Sequence, residues 1–273
     1  MQLECASTLT LSSFMDCTAQ RLTYRETGAF SKIVLDYLDQ HEQLKPFVEH
    51  APDAAGIAAA IKARTGYTTN RQLLVQHLQQ QYQSLNEAAA VTTNINRLLN
   101  DNTFTVTTAH QPNLFTGPLY FLYKIIHAIR LADALNQQHP DYHFVPVYYM
   151  GSEDADVEEL AHYQLHGEKR SWNTDQSGAF GRFVIDRQVV KLIDDLQGEL
   201  GVLPFGNELI ALLRRCYTVG ATIQQATLQL VHELFGAYGL VVLNADTPVL
   251  KQQLVPVLKE ELQQHHSSRL VQQ

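Results

Sequence analysis

Cysteine is scarce in this chain: there are three among 273 residues, Cys5, Cys17 and Cys216. An odd number without C-x-x-C spacing supports neither a disulfide framework nor a zinc knuckle, and reduced thiols suit a cytoplasmic protein. Long hydrophobic runs are also missing. No stretch approaches the ~20 consecutive apolar residues of a membrane span. The N-terminus, "MQLECASTLTLSSF", lacks a basic flank and a clean apolar core, so no signal peptide is read and the cytoplasm is the expected location. Basic residues are few, with 20 Lys and Arg against 28 Asp and Glu for a net charge of −8. The deficit lies mostly beyond residue 100, where 12 basic side chains face 19 acidic ones. A nucleic-acid surface would show a basic stripe, and none is present. Also absent are G-x-G-x-x-G, a Walker A loop, H-E-x-x-H and G-x-S-x-G. Those absences count against a dinucleotide oxidoreductase, a P-loop kinase, a zinc protease and an α/β-hydrolase.

What is present is a globular composition, 45% hydrophobic and 18% charged, with length enough for one large domain or two smaller ones. Residues 1–100 read as a mainly helical region. "FSKIVLDYLDQ" and "TTNRQLLVQHLQQQYQSL" carry apolar residues at helical spacing, with "HAPDAAG" breaking the two. The glutamines after Leu78 read as a solvated helix face, since Leu and Tyr interrupt them.

From Thr103 the period changes, and residues 101–273 read as an α/β core. "TFTVTTAH" is a β-branched strand. "PLYFLYKIIHAIRLADAL" follows as a helix, with Leu119, Leu122, Ile126 and Ile129 as its expected apolar face. "HFVPVYYMG" is a short continuous apolar run, the mark of a strand buried on both faces. Strand, helix, strand in this order predicts a parallel βαβ unit. "HYQLHGEKRSWNTDQSGAFGRFVID" reads as a β-hairpin excursion. "LIALLRRCYTVGATIQQATLQLVHELFGAYG" reads as helix, with a break expected at Gly220. "GLVVLNADTPVLKQQLVPVLKEEL" then supplies another buried strand, a turn and a helix.

Three strand ends carry chemistry. The first, "TAHQPNLFTGPLY" from Thr108, presents His110, Gln111 and Asn113 just before a helix whose free N–H groups favour anions. Ligands of open parallel sheets gather beyond such strand ends. The plainer reading makes Thr116 or Gly117 the N-cap, Pro118 the first helical residue and Asn113 a turn former. The second, "YYMGSEDADVEEL", presents Ser152, Glu153, Asp154 and Asp156, suited to an ammonium group or Mg²⁺. Alternatively these acids complement a helix dipole, with Ser152 as the cap. Glu158 and Glu159 read as a solvated face. The third, "LNADTP", presents Asn244 and Asp246, with Asp246 or Thr247 expected to cap the helix begun by Pro248. His162 and His166 stand four apart in a strand setting and make a poor metal pair.

These stretches resemble a known family. Thr107 to Lys124, "TTAHQPNLFTGPLYFLYK", is similar to the T-G-Q-Q-P-G-L-F-G-G-P-L-Y stretch of the bacillithiol-biosynthesis cysteine-adding enzymes. Pro146 to Asp156, "PVYYMGSEDAD", resembles that family's second signature, an apolar strand followed by an acidic turn. "GAFGR" and the segment around Asp246 are also family-like. The resemblance covers most of residues 100–265. Ala109-His110 stands where the family commonly has Gly-Gln.

The resemblance implies a Rossmann-like core related to class I aminoacyl-tRNA synthetases, with the His110 loop in the place of their HIGH signature. It implies a carbon–nitrogen ligase that joins the carboxyl of L-cysteine to the amine of glucosaminyl-malate. His110, Gln111, Glu153 and Asp154 would be the catalytic set. Thr108, Asn113, Gly117, Ser152, Asp156, Asn244 and Asp246 would contact substrate or nucleotide, with no protein-held metal. The cofactor is left open: ATP or another nucleotide suits carboxylate activation, with Mg²⁺ beside it. Family chains run on into a coiled coil and the rest of the core, so this chain is expected to be the first part. It would then expose an apolar seam and an open sheet edge, with homo-oligomers forming through the later portion. Two other readings stay open: a metal-dependent sugar-modifying enzyme or hydrolase using Glu153, Asp154 and Asp156, and a non-catalytic binding or assembly module.

Overall fold

The computed structural model describes residues 20–272. Cys5, Cys17 and the N-terminal stretch examined for a signal peptide lie outside the described residues. The chain divides into two compact units, with the boundary between Thr69 and Asn70. The change of periodicity near residue 100 therefore marks a change of secondary structure, while the compact unit that holds the sheet begins about thirty residues earlier.

The first unit carries α1 (Tyr24–Thr27), α2 (Lys32–Leu38) and α3 (Ala54–Arg64). A capping box at Thr23 starts α1, and Asp53 caps α3 by accepting from Gly56 N.

The second unit opens with α4 (Arg71–Tyr82) and α5 (Ala89–Arg97), followed by β1 (Thr103–His110), α6 (Leu119–Gln138) and β2 (His143–Met150). After a four-residue helix α7 (Val157–Leu160) come the hairpin strands β3 (His162–Leu165) and β4 (Glu168–Ser171). Then follow α8 (Arg187–Leu200), α9 (Gly206–Cys216), α10 (Ile223–Phe235) and β5 (Val241–Asn244). The chain closes with α11 (Pro248–Lys251), α12 (Val255–Gln264) and α13 (His266–Gln272).

β1, β2 and β5 form a parallel sheet in the order β1-β2-β5. Helices cover both faces, which is why β2 reads as unbroken apolar sequence. Tyr148, Met150 and Val242 pack against Phe121, Ile125 and Ile129 of α6 and against α10. On the other side Val145, Val147 and Val241 pack against Val75 and Leu78 of α4 and Val91 and Ile95 of α5. A separate core, with Trp172, Phe180, Ile193 and Ile210 at its heart, lies under the hairpin and α8–α10.

Two sequence expectations need correction here. The buried stripe of α6 is Phe121, Ile125, Ala128, Ile129 and Ala132, while Leu119 and Ile126 stand 65% and 45% exposed. This helix has apolar residues on two faces, and the sheet takes the one with alanines that allow close approach. Only residues 162–171 of the excursion are hairpin; Phe180–Arg182 is a 3₁₀ turn. The break near Gly220 is real, and Gly220 itself has a φ of +92°.

The outer edge of β5 is finished by side chains. Val242 N donates to the Tyr82 hydroxyl at 2.7 Å, and the Gln81 carboxamide donates to Val242 O at 2.7 Å. Gln81 also accepts from Asn244 N at 3.0 Å, and His77 Nε2 lies 3.2 Å from Asn244 O. Three residues of α4 thus stand in for a neighbouring strand. Toward the end of the chain, Val255, Leu258, Leu262 and Leu270 are exposed. Among the described residues no helix is long and apolar enough to cross a membrane.

Candidate functional site

The sheet register decides which loops meet. His110 pairs with Met150, and Met150 with Asn244, so all three strands end level with one another. The loops after them therefore start side by side at the carboxyl edge, where parallel sheets place their ligands. Gly151 N donates to His110 O at 2.9 Å and the buried Tyr148 hydroxyl donates to the same oxygen at 3.0 Å, tying the first two loops together.

A cavity of about 260 Å³ opens there, lined by Gln111, Tyr149, Met150, Gly151, Ser152, Glu153, Asp154 and Asp246. Gln111 Nε2 donates to Asp154 Oδ2 across it at 3.0 Å. That bond, with the backbone N–H of Asp156, holds the Asp154 carboxyl below its ordinary range, so it is charged at neutral pH. Its partners are neutral, leaving the negative charge unbalanced. Behind it the Phe180 and Gly181 amides donate to the carbonyls of Asp154 and Ser152, at 2.7 and 3.1 Å. Gly181 is required by this approach, because a Cβ there would lie 2.6 Å from Ser152 Cβ.

The third loop is locked by ionic contacts. Asp246 has a side chain only 2% exposed. It accepts from Arg182 through Nε at 2.6 Å and Nη2 at 2.5 Å, and from Lys251 Nζ at 2.5 Å. The Arg182 fork, aided by Lys251, holds its carboxyl down at about 2. Lys251 also reaches Glu153 Oε1 at 2.5 Å. Ser152, buried, donates from Oγ to Asn244 Oδ1 at 2.6 Å, and Asp246 N donates to the same oxygen.

Several expected caps are replaced by these contacts. Ser152 caps nothing; it belongs to Asn244, and Asp156 caps α7 instead, accepting from Glu159 N. Glu153 and Asp154 precede that helix and are not in its first turn, which holds Glu158 and Glu159. Asp246 serves Arg182 and Lys251, so Thr247 is the N-cap of α11 and makes no side-chain cap bond. At α6 the N-cap is Pro118, not Thr116 or Gly117, and the helix starts at Leu119. Gly117 instead takes a left-handed turn at φ +62°, where a Cβ would strike the Asn113 side chain at 2.6 Å.

His110 and Asn113 sit behind the cavity wall rather than in it. Both are 7% exposed. His110 Nδ1 donates to Gln111 O at 2.9 Å, and its ring packs on Tyr120 and Phe121. Burial pushes its pKa down, so the imidazole is neutral at pH 7 and its Nε2 lone pair is free of that bond. Asn113 Oδ1 is buried without a partner. Thr108 lies half-buried on β1 beside Tyr148. Asp156, Glu153 and Asp154 bond to different partners, and among the described residues no group of three or more His, Cys, Asp or Glu is arranged to hold a metal. His162 and His166 face Glu158 O and Glu199 respectively.

Sequence reasoning missed Arg182, Lys251 and Gln81. Arg182 lay within the quoted "GAFGR", and only its distance of 64 residues from Asp246 hid the pairing. Gln81 belongs to the glutamines after Leu78 that read as a solvated helix face, whereas its carboxamide pairs with β5; Lys251 carried no signal beyond its helical spacing.

With this geometry in view, the relatives are informative. Residues 15–273 match the family model described as "Bacillithiol biosynthesis BshC, N-terminal Rossmann-like domain". A protein of Flavobacterium johnsoniae named "Putative cysteine ligase BshC" is 40% identical over 254 residues, covering 92% of this chain and 48% of the relative. Namesakes from Flavobacterium psychrophilum and Cytophaga hutchinsonii are 38% and 37% identical, over 92% and 90% of this chain and 48% and 45% of theirs. The chain spans about half the length of the curated relatives it matches. A parallel sheet flanked by helices, in a chain matched over nearly its whole length, places this chain in the BshC family of bacillithiol biosynthesis, as its N-terminal Rossmann-like domain.

Proposed function

We propose that this domain carries the substrate cleft of a cysteine ligase, which joins the carboxyl of L-cysteine to the amine of glucosaminyl-malate as an amide. The observation that carries the reading is the Gln111–Asp154 bond across the cavity, with Glu153 and Asp246 on its rim. An uncompensated carboxylate beside a carboxamide suits a substrate ammonium, which Asp154 and Glu153 orient by charge. Ser152, Asn244 and Asp246 act at one remove, fixing the loop that carries Glu153. A condensing carboxyl needs a leaving group, and a nucleotide is the natural donor. The first turn of α6, with an N-cap that offers no side-chain bond and Lys124 one turn on, suits its phosphates. His110, neutral and buried beneath that turn, and Asn113 shape the turn's approach.

The test is product formation. The full-length protein with L-cysteine and glucosaminyl-malate should yield the amide by mass spectrometry in a cysteine-dependent manner, and Asp154→Asn should suppress it. Full turnover by Asp154→Asn would remove the cleft from the reaction. The magnesium-hydrolase reading finds no favour in the geometry, because Asp156 caps α7 and Glu153 turns to Lys251.

A further inference from the structure

Lys251 stands where a ligand's ammonium would stand. Its Nζ lies 2.5 Å from Oε1 of Glu153 and 2.5 Å from Oδ1 of Asp246. Asp246 is already served on both oxygens by the Arg182 fork. Among the ion pairs of the described residues, Glu153 has Lys251 alone. Lys251 is thus redundant for one carboxylate and the direct ion-pair partner of the other, on which Arg182 acts only at longer range.

Its setting allows it to leave. The side chain is 38% exposed and touches Glu153 and Asp246, two residues that line the 260 Å³ cavity. It projects from α11, a single turn with no buried residue. Thr247, at the N-cap of that turn, makes no cap bond, and its Oγ1 is buried without a partner. The turn therefore has a hydrogen bond to gain by shifting. Exposed ion pairs of this kind are weak and readily exchanged.

We propose that Lys251 is an internal placeholder in a primary-ammonium subsite. The ligand's –NH₃⁺ takes the Glu153 carboxylate, and Lys251 retires to Asp246. The inference rests on reading the cleft as the site of an amine-bearing substrate, and adds how the empty site is kept. Exchange leaves Glu153 paired before and after binding, so no carboxylate is stranded when the ligand departs. It also makes the subsite selective, since a neutral amide has no charge with which to displace Lys251.

The test uses two probes, D-glucosamine and L-cysteine, with N-acetyl-D-glucosamine and N-acetyl-L-cysteine as neutral counterparts. Binding is measured on the chain as it stands by calorimetry and by the Lys251 Cε resonance, assigned with Lys251→Arg. The resonance should move as an amine probe saturates and stay still with its acetylated counterpart. Lys251→Met should bind the amine about three- to five-fold more tightly, the worth of an exposed ion pair. Lys169→Met, which removes one exposed positive charge on β4 without touching Glu153, should change affinity less. Exchange with glucosamine alone assigns the ammonium to the sugar, and with cysteine alone to the amino acid; either supports the proposal. Amine binding with a stationary Lys251 resonance, or unaltered affinity in Lys251→Met, overturns the placeholder and spares the ammonium cleft. Failure of both amines to bind any of these proteins overturns the two together.

Discussion

Asp246 should make this domain measurably acid-sensitive, and the size of the effect follows from its contacts. The carboxyl is held at about 2, against an ordinary 3.8, chiefly by the Arg182 fork and secondarily by Lys251. A depressed carboxyl contributes stability that is complete above its unfolded pKa and lost as pH falls through its folded one. The window is therefore about pH 4 down to 2. Nearly two units at ~1.36 kcal/mol each would be worth about 2.4 kcal/mol. Arg182 is 59% exposed. Solvent screening of such a partner reduces the expectation to roughly 1–1.5 kcal/mol. Asp246→Asn preserves the shape and removes the titration. Urea unfolding of both proteins should show the wild type more stable at pH 7, with the gap closing between pH 4 and 2. Other carboxyls titrate in that range too, but they are common to both proteins and cancel in the difference. A gap that stays constant from pH 7 to 2 would refute the assignment of this charge to the fold.

Further outcomes test other parts of the account. Ile125→Ala should cost about 2–5 kcal/mol as a core truncation, whereas Ile126→Ala next to it should stay within ~0.5 kcal/mol, by thermal or urea melts. Equal costs would mean the buried face of α6 is wrongly placed. Gly181→Ala should destabilise the Ser152 loop, since its new Cβ meets Ser152 Cβ and O at 2.6 Å; hydrogen exchange at residues 152–156 should accelerate at least tenfold. Gln81→Leu leaves Val242 O and Asn244 N unpaired and should cost about 2–4 kcal/mol, with Asn244 N losing its protection. Glu153→Gln should weaken amine binding by roughly tenfold, the worth of a charge-assisted bond, while the melting temperature barely moves.

The two strands that frame the site were legible, "TFTVTTAH" to the residue and "HFVPVYYMG" to within its final glycine, because both are β-rich runs bounded by turn signals. The strand-end placement of Gln111, Glu153 and Asp154 followed from them. Of the caps around the site, only Thr247 at α11 was among those the sequence offered. Ser152, Thr116 and Asp246 have cap-forming side chains, but Ser152 and Asp246 found stronger partners far away in sequence, Asn244 for one and Arg182 for the other. Local rules assume that a short polar side chain will serve the nearest free amide, and a folded loop offers it alternatives. The face of α6 escaped for a related reason: Leu119, Tyr123 and Ile126 form an apolar stripe as regular as the buried one, and only the sheet chooses between them. His110 and Asn113 read as polar and available, yet they are walled in.

The side-chain ladder along β5 has a consequence for registration. The carboxamide of Gln81 spans Val242 O and Asn244 N, groups that lie on one side of the strand, while Leu243 presents its own to β2. Were β5 to slide by one residue, Gln81 would face the wrong partners and every side chain would exchange layers. Val242, now against α6, would go to the α4 layer, and the Asn244 side chain would turn away from Ser152. A four-residue strand has little pairing of its own with which to resist such slippage. The amide, the Tyr82 hydroxyl and the His77 ring work as a vernier read from outside the sheet, setting β5 to a single notch and Asp246 two residues beyond it.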